Sequence, residues 1–600
     1  MQGSTDCAVD PCFDFEPAYA SIVRPTGGGC PFLLTNSASE QETRHEMKNA
    51  GLDKDSLQML LDTIGSFGKQ KLPPKVRLEL DEKDEFPLGL IQELLGPEIG
   101  LHLLFIPEEL GGLGGSAYDV YRVSEDMARL DLGVATAFLA IFLGTDPIVV
   151  GSTEEQRKHW LRRIGDEGLI VAYAVTEPLA GSELSAIRTK ADRVIENGEL
   201  KGYKINGTKQ FISNGGFAQL YSVLAAAPDG PTFFLVEKGA PGLVPGKHEN
   251  KHGIRSSNTS PVIFEDVFVP TENLLGGVEG KGLIHAQSVF GFTRLMVAAF
   301  GLGGGVAAML KAIRYSRERV QAGSTLSEKQ GYMDKLIVPH VVKLEAARAY
   351  IEEVARRLDA GEPELQTEGA IAKLFATEEG NAAADAAVQA LGGYGYTKEY
   401  AVEQIRRDVR ITTIYEGTSE IMQWTVSRDR WRVHLQERGG FYRRMAESLE
   451  NLHREDARVG ADVAALAVRA VLETTERCRV SRLTRHQHVL FQLGELMTRA
   501  EIAANFAQYA AGRGAAKYEP FFAPKAVKDM SRVCAREAAL DVLAGAVRLV
   551  RGMDAVDDAG MADFERALQA QAIHASAKGL MADLDIVAKA IVEQDAARPQ

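Results

Sequence analysis

The spacing of apolar residues changes twice along this chain of 600 residues. Between about residues 46 and 170, apolar residues recur every three or four positions, as in AYDVYRVSEDMARL, which is typical of amphipathic helices. Between about 171 and 280, segments rich in β-branched and aromatic residues, such as SPVIFEDVFVP, predict strands. Helical spacing then returns and continues to the C-terminus. The pattern therefore predicts an α+β fold, mostly α, with a small β unit between helical regions.

The same pattern predicts where the units begin and end. Residues 1–45 lack periodicity and predict an N-terminal arm. The folded units are predicted at 46–170 (helical), 171–280 (β), 281–438 (helical) and 439–600 (an additional helical domain). Within the β unit, Asn206-Gly207 is a typical hairpin turn. In the last unit, GRGAAKYEPFFAPKA predicts a break between helices.

Composition and charge narrow the function classes. A net charge of −14 argues against generic attraction to nucleic acid or anionic lipid. Residues 440–600 hold 22 Lys plus Arg against 22 Asp plus Glu, so this region adds no net positive surface. The five cysteines are odd in number and scattered, which predicts neither a disulfide framework nor a cysteine metal site. The acidic, proline-containing N-terminus does not resemble a secretory signal, so a cytoplasmic location is expected.

Three features are interpreted as structural or superficial. The uncharged runs 132–145 and 295–310 are shorter than the roughly 18 residues of a membrane span and predict buried helices. The glycines of GLGGGVA, 301–307, have no preceding strand, which favours close helix packing over a dinucleotide loop. His486 and His488 lack further ligands nearby, so we predict surface residues and no metal site.

One carboxylate stands out in ITTIYEGTSEIMQW, residues 411–424. Thr418 and Ser419 have short hydroxyl side chains that cap a helix, and Glu420 suits the positive end of the helix dipole. Glu416 therefore lies before the helix, on a turn. Taken alone, this turn is more typical of a solvated loop acid than of a catalytic one.

Two further segments carry candidate chemistry. AYAVTEPLAGSELSAIRTKA, 172–191, joins strand-like residues to a turn whose backbone amides and hydroxyls could grip a planar heteroaromatic ring. TKQFISNGG, 208–216, places Phe211 and Ser213 at alternate strand positions and so on one face.

Five motifs together resemble the acyl-CoA dehydrogenase family over about residues 50–435. In the family's order, they are YAVTEPLAGSE, FISNGG, GIRSSNTSPVIFEDVFVP, VQALGGYGYTKEYAVEQIRRDVRI and IYEGTSEI. The helical region after 440 is similar in length and character to the very-long-chain branch. The resemblance implies an N-terminal helical domain, a middle β-barrel-like domain, a C-terminal four-helix bundle and an additional C-terminal helical domain.

The resemblance also implies the reaction, an FAD-dependent α,β-dehydrogenation of an acyl-CoA to a trans-2-enoyl-CoA (EC 1.3.8 type). Glu416 is expected to remove the α-proton while the β-hydride passes to flavin N5. The backbone N–H of Glu416 and the flavin ribityl hydroxyl are expected to polarise the thioester carbonyl. Some relatives carry the base immediately before an arginine on an earlier helix; here that position is Thr293, which leaves Glu416 as the candidate.

The family's site residues map onto this sequence motif by motif. Expected substrate contacts are Ser182, Arg294, Tyr415 and Gly417, and a structural ion pair is the alternative role of Arg294. Expected FAD contacts within the subunit are Tyr173, Val175, Thr176, Ser182, Phe211 and Ser213. Residues expected at the FAD of a neighbouring subunit are Arg319, Gln321, Gln389, Gly392, Gly393, Thr418 and Glu420. Ala322 replaces the phenylalanine usual after Gln321, which leaves part of the adenine-side contact in doubt.

Partners follow from the same resemblance. A shared FAD site implies a homodimer or a tetramer built from it, and electrons are expected to leave through an electron-transfer flavoprotein. Two alternatives stay open: an acyl-CoA oxidase that uses O2, and a nucleic-acid-binding relative of the alkylation-response type, against which the even charge balance after 440 argues. A peripheral location on the inner face of a membrane, through residues 439–600, also stays open.

Overall fold

The computed structural model describes residues 51–363, 365–513 and 522–597, with the backbone alone for residues 290–292. The predicted N-terminal arm lies outside the described residues, as does most of the predicted break near 514–521. Cys478 and Cys534 are buried and unpaired. All described residues from 51 onward belong to one compact unit.

The N-terminal region is helical, as predicted. Its helices are α1 (Lys54–Lys71), α2 (Pro74–Lys83), α3 (Leu88–Leu95), α4 (Ala117–Leu130), α5 (Leu132–Gly151) and α6 (Glu154–Glu167). The predicted stretch AYDVYRVSEDMARL coincides with α4, which begins where Ser116 and Asp119 form a capping box. Helix α5 is almost entirely buried and packs against the first strand of the sheet.

The middle region is a curled sheet of seven strands. They are β1 (Val171–Ala174), β2 (Lys190–Glu196), β3 (Glu199–Ser213), β4 (Leu220–Ala227), β5 (Gly230–Glu237), β6 (Leu243–Pro245) and β7 (Thr259–Pro270). The order is β1-β4-β2-β3-β7-β6, with β5 paired to the other edge of β4. Strand β1 runs parallel to β4, whereas the long β2, β3 and β7 pair antiparallel.

The predicted hairpin turn at Asn206-Gly207 is wrong. Both residues lie inside β3, where the pairing with β7 shifts register between Ile205 and Gly207. The turn that joins β2 to β3 is Asn197-Gly198, and both of its residues have positive φ, as a tight hairpin requires. The sequence contains three Asn-Gly pairs, at 197, 206 and 214, and the pairing of β3 with β7 extends through the second one.

The C-terminal region is a helical bundle. It contains α7 (Gly282–Glu318), a short β8–β9 hairpin (Val320–Gln321 and Ser324–Thr325), α8 (Gln330–Leu336), α9 (Val338–Asp359), α10 (Gln366–Leu391), α11 (Gly393–Tyr396), α12 (Val402–Val409) and α13 (Ser419–Glu437). The glycines of GLGGGVA lie inside α7, as predicted, and pack against α10. A Cβ on Gly301 would lie 2.7 Å from the carbonyl oxygen of Ala376, so the two backbones are nearly in contact.

Among the described residues after the bundle there are seven further helices, in the region predicted to be an additional helical domain. They are α14 (Gly440–Glu455), α15 (Ala461–Val480), α16 (Gln487–Ala510), α17 (Pro524–Gly552), α18 (Asp558–Ala567), α19 (Ala570–Ser576) and α20 (Leu580–Ala596). Arg430 on α13 is buried and donates to both carboxylate oxygens of Glu501 on α16, at 2.8 and 2.7 Å. These helices therefore pack onto the bundle through a buried, bidentate ion pair.

Within the part of the chain that the structure describes, two helices, α5 and α7, are long and apolar enough to cross a membrane. In each, 83% of the most apolar 18-residue window is buried inside the protein. This burial agrees with the prediction that residues 132–145 and 295–310 form buried core helices. His486 and His488 are exposed, as predicted, and the described residues contain no cluster of three potential metal ligands.

We predict that Gly380→Ala destabilises the bundle. A Cβ at this position would lie 2.1 Å from the carbonyl oxygen of Gly301, so α7 and α10 would have to separate. Overpacking of this kind costs about 1–3 kcal/mol, which should appear as a lower temperature of thermal unfolding. Gly331→Ala is the matched control, because nothing lies within 4 Å of a Cβ on that helical glycine. Equal melting temperatures for the two variants would contradict the close packing of α7 on α10.

Candidate active site

Glu416 lies on a turn immediately before α13, as predicted from the sequence. Its backbone is left-handed, with φ 54°, and Gly417 follows with φ 93°. Helix α13 begins at Ser419, and the Thr418 hydroxyl accepts a hydrogen bond from the N–H of Ile421. A left-handed glutamate is uncommon and costs of order 1 kcal/mol or more, so the surroundings must hold it in place.

Lys373 on α10 is one of the groups that hold this turn. Its ammonium donates to the carbonyl oxygen of Gly417 at 2.6 Å, and its side chain is fully buried. Burial lowers the pKa of Lys373 to about 8, although Glu378 and Glu416 raise it in part. The sequence reasoning missed Lys373, because its role depends on the contact between α10 and the turn rather than on a local motif.

The Glu416 carboxylate is surrounded by groups from α7. The Thr293 hydroxyl donates to Glu416 Oε2 at 3.0 Å. Burial raises the pKa of Glu416, whereas the Thr293 hydrogen bond and the charges of Arg294 and Lys373 lower it. The residue itself remains partly exposed. Thr293, the position that carries the base in some relatives, thus supports the carboxylate at 416.

Arg294 lies between Glu416 and α10. It donates to the side-chain and backbone oxygens of Gln366, at 3.0 and 3.3 Å. Burial lowers the pKa of Arg294, and the charge of Glu416 raises it. The structure therefore places this cation beside the candidate base, as the expected substrate contact requires.

Tyr173, on β1, is brought to the same place by the sheet. Burial raises the pKa of its hydroxyl, and the charges of Glu416 and Asp146 raise it further. Tyr415 is also close, and burial raises the pKa of its hydroxyl too. Gly417 makes room for Met422, whose Cε would lie 2.5 Å from a Cβ at 417. Expected residues from α7, β1 and the turn thus meet around the base, together with Lys373 from α10, which was not expected.

A buried lysine holds the loop that follows β1 in position. Lys209 is fully buried and donates to the carbonyl oxygen of Val175 at 2.9 Å and to Glu177 at 2.7 Å. Glu177 in turn accepts from the backbone N–H groups of Arg188 and Thr189. Burial lowers the pKa of Lys209 to about 8, and Glu177 raises it in part. This network sets the position of Val175 and the adjoining Thr176.

Strand β3 lies beside that loop. The N–H of Gln210 donates to the carbonyl oxygen of Thr176 at 2.8 Å, and Phe211 follows directly. Phe211 has φ 59° and is 64% exposed, although Ile212 next to it is buried. The register shifts between Lys209 and Ile212, so the simple alternation used to place Phe211 and Ser213 on one face does not hold at this point, and their shared face stays a prediction. Ser182 is exposed on the neighbouring loop.

A second group of predicted residues lies elsewhere on the bundle. Arg319, Gln321, Gly392 and Gly393 line an open cavity of about 430 Å³, together with residues that include Tyr315 and Tyr394. None of the predicted residues around Glu416 lines this cavity. Gln389 is exposed and its carbonyl oxygen accepts from the N–H of Gly392.

The remaining predicted contacts are at or next to the Glu416 turn. Thr418 caps α13, and hydrogen bonds in the first turn of the helix lower the pKa of Glu420, which is exposed. Ala322 lies in the turn of the β8–β9 hairpin with φ 47°. The residues predicted for the FAD of a neighbouring subunit therefore do not form one group, because Thr418 and Glu420 lie at the Glu416 turn whereas Arg319, Gln321, Gly392 and Gly393 line the separate cavity.

The comparison with known proteins identifies this arrangement. Residues 54–167, 172–267 and 280–429 match, in that order, the N-terminal, middle and C-terminal domains of acyl-CoA dehydrogenase. The chain belongs to the acyl-CoA dehydrogenase family. Its relatives include an acyl-CoA dehydrogenase of Bacillus subtilis (strain 168), which is 35% identical over 380 residues, with 62% of this chain and 96% of the relative covered.

Solved structures agree with this assignment. Butyryl-CoA dehydrogenase from Megasphaera elsdenii is 36% identical and has a TM-score of 0.58. The alignment covers 62% of this chain and 96% of that one. An acyl-CoA dehydrogenase from Bacillus anthracis, complexed with FAD, has a TM-score of 0.75 and covers 90% of this chain and 95% of that one. At 24% identity, the similarity to the Bacillus anthracis protein is one of fold. It covers more of this chain than the similarity to the Megasphaera enzyme does.

The expectations for family, fold class, enzyme class and cofactor are therefore confirmed. This acyl-CoA dehydrogenase is an oxidoreductase that uses FAD and acts on acyl-CoA thioesters. The resemblance to the very-long-chain branch stays a prediction, and so do the individual roles of the site residues and the exact domain boundaries.

The residues present fit FAD in three respects. The Tyr173 hydroxyl and Asn214 Oδ1 are buried without a hydrogen-bond partner among the described residues, as groups that await a polar ligand would be. Phe211 exposes a large aromatic face beside the loop of Val175 and Thr176. At Gly392 and Gly393 nothing lies within 4 Å of the position that a Cβ would occupy, so a ligand can approach the backbone.

We predict that Lys373→Met shifts the pH dependence of flavin reduction to higher pH. The cation of Lys373 lowers the pKa of Glu416, so its removal raises that pKa, by about 1 unit for a nearby opposite charge. The measurement is the rate of anaerobic flavin reduction by an acyl-CoA as a function of pH. Lys311→Met is the matched control, because that half-buried lysine lies near the charges of Arg77 and Arg314 instead. If the pKa on the acid side of the pH profile is the same in Lys373→Met as in the native enzyme, the role given to Lys373 is contradicted.

Proposed function

We propose that this enzyme dehydrogenates an acyl-CoA between the α and β carbons to a trans-2-enoyl-CoA, with Glu416 as the base. The proposal rests on the backbone conformation and the pKa of Glu416. It is the carboxylate of a strained, fixed turn, and its environment raises its pKa toward the range in which a general base works well. A solvated loop acid would need neither the left-handed backbone nor the supporting groups.

The chain's own groups account for the proton transfer. Ionised Glu416 takes the α-proton, and the Thr293 hydroxyl stabilises the ionised form through its hydrogen bond to Oε2. Arg294 and Lys373 contribute positive charge beside the carboxylate. No hydrogen bond among the described residues engages the backbone N–H of Glu416, so that N–H is free to donate to the thioester carbonyl. FAD, when bound, supplies the acceptor for the β-hydride.

The electron acceptor and the assembly follow from the same proposal. An electron-transfer flavoprotein is the partner proposed to reoxidise the flavin, and fatty-acid β-oxidation is the pathway proposed for the reaction. A homodimer, or a tetramer built from it, would bring the cavity of Arg319, Gln321, Gly392 and Gly393 to the cofactor of a neighbouring subunit. The enzyme is proposed to be cytoplasmic. As an extension of this proposal, residues 439–600 would make peripheral contact with the membrane.

We predict that Glu416→Gln retains FAD and loses flavin bleaching. The amide keeps the shape of the side chain and cannot accept the α-proton, so the rate should fall by at least about 10²-fold, the lower range for a general base. The measurement is anaerobic bleaching of the flavin absorbance by a panel of acyl-CoAs. Glu437→Gln, at the far end of α13, is the matched control. Bleaching by Glu416→Gln at the native rate would show that the base lies elsewhere.

The pH dependence of the native enzyme gives an independent test. Glu416 is active when ionised, and burial raises its pKa. Flavin reduction should therefore increase with pH through a pKa above that of an ordinary glutamate, about 4.3. A rate that does not change between pH 5 and 8 would contradict a titrating base with a raised pKa.

Reaction with oxygen separates a dehydrogenase from an oxidase. We expect substrate-reduced enzyme to be reoxidised quickly by an electron-transfer flavoprotein and slowly by air. The measurement is stopped-flow reoxidation together with hydrogen peroxide determination. Fast, stoichiometric peroxide formation would instead assign the protein as an acyl-CoA oxidase.

A further inference from the structure

A junction cavity lies between the bundle and the helices that follow it. Its volume is about 450 Å³, within the range of about 300–1,000 Å³ that is usual for small-molecule sites. Three bundle helices (α8, α9 and α10) and three later helices (α16, α17 and α20) supply its lining. No residue placed around Glu416 or in the cavity of Arg319 takes part. The junction cavity is therefore separate from the candidate active site.

The inner wall of the junction cavity is apolar. Val342 on α9, Phe375 on α10, Ile502 on α16 and Val533 on α17 line it, and each is at most 7% exposed. Met581 on α20 also lines the cavity but is 58% exposed, so the cavity opens to solvent beside this helix. A hydrocarbon chain that enters the cavity would leave water and gain contact with these side chains.

Two cations of the lining are already paired with carboxylates. Lys343 on α9 forms an ion pair with Glu379 at 3.3 Å. Arg499 on α16 forms ion pairs with Glu495 and Asp541, each at 2.9 Å. An anionic ligand would have to compete with these carboxylates for its partners. The cavity is therefore poorly suited to a fatty-acid carboxylate.

Two carboxyl groups of the lining lack such partners. Glu537 on α17 and Asp334 on α8 form no hydrogen bond or ion pair with another described residue. Burial raises the pKa of both groups, and the neighbouring Asp541 and Asp585 raise it further. Lys343 lowers the pKa of Glu537 in part. A bound cation would favour the ionised forms and so offset the cost of burying these carboxylates.

We propose that the junction cavity binds an organic cation in which a primary ammonium group is attached to an apolar chain. An ammonium group has three hydrogen-bond donors and no acceptor, and ionised Glu537 and Asp334 provide acceptors only. The chain would lie against Val342 and Phe375. Lys335, the remaining cation of the lining, is exposed, so solvent and salt weaken its repulsion of a ligand. This proposal does not depend on the reaction proposed for Glu416.

The test compares three ligands of equal chain length: hexylammonium, hexanoate and 1-hexanol. Binding to the full chain with FAD bound is measured by isothermal titration calorimetry at about pH 8, without any acyl-CoA. We expect hexylammonium to bind at least about tenfold more tightly than 1-hexanol, because a hydrogen bond to a charged group contributes that much. Hexanoate should bind most weakly, since the carboxylates around the cavity repel it.

Two variants assign the binding to the junction cavity. Glu537→Gln should remove most of the preference for hexylammonium and leave the affinity for 1-hexanol unchanged. Ala538→Leu, which narrows the cavity at a buried position, should weaken the binding of both ligands. Glu473→Gln is the matched control: Glu473, on α15, is also half-buried, and burial and Glu476 raise its pKa, but it does not line the cavity. Retained FAD absorbance and melting temperature show that each variant is folded.

Three outcomes would overturn the proposal. Equal affinities of the native protein for the three ligands would show that the cavity does not select a charge. Tighter binding of hexanoate would make Lys343 and Arg499 the ligand-binding groups instead. A preference for hexylammonium that survives in Glu537→Gln would place the cation elsewhere on the protein. None of these measurements involves flavin reduction, so they leave the function proposed for Glu416 untouched, and failure of that function leaves this proposal in place.

Discussion

The close contact between α7 and α10 is the constraint on which the site depends. The two helices approach through Gly301, Gly305 and Gly380, where any side chain would meet a backbone or a neighbouring leucine. One residue of α7, Thr293, and one of α10, Lys373, then converge on the turn of Glu416. A wider spacing would leave the turn without its hydroxyl and its lysine, and the left-handed glutamate would lose the contacts that offset its strain.

The electrostatics of the site combine two opposing effects. Burial favours the protonated form of Glu416, whereas Thr293, Arg294 and Lys373 favour the ionised form. A base has to be ionised to accept a proton and basic enough to hold it, so an intermediate pKa serves both needs. The same interior contains Asp146, for which burial is opposed by no cation or hydrogen bond. The pKa values of the two carboxyl groups are thus raised to different extents by what surrounds them.

The sequence predicted most of the architecture because the signals concerned are local. The period of apolar residues identified the helices, the β unit and the extra helical region, and Thr418 identified the start of α13. The hairpin prediction at Asn206-Gly207 failed because Asn-Gly occurs three times, at 197, 206 and 214, and local propensity does not show which pair forms the turn and which lies in a strand paired with β7. The left-handed backbone at Phe211 was not predicted for a related reason, since strand alternation assumes a regular pairing.

The sequence by itself determined the order of the motifs, and with it the family, the cofactor and the candidate base Glu416. The tertiary structure decided which side chains support that base. Lys373, Thr293 and Asp146 are separated from Glu416 by 43 to 270 positions in the chain. No local sequence pattern relates residues at such separations. The packing of α5, α7 and α10 around one turn brings them together, and burial and charge then act through space.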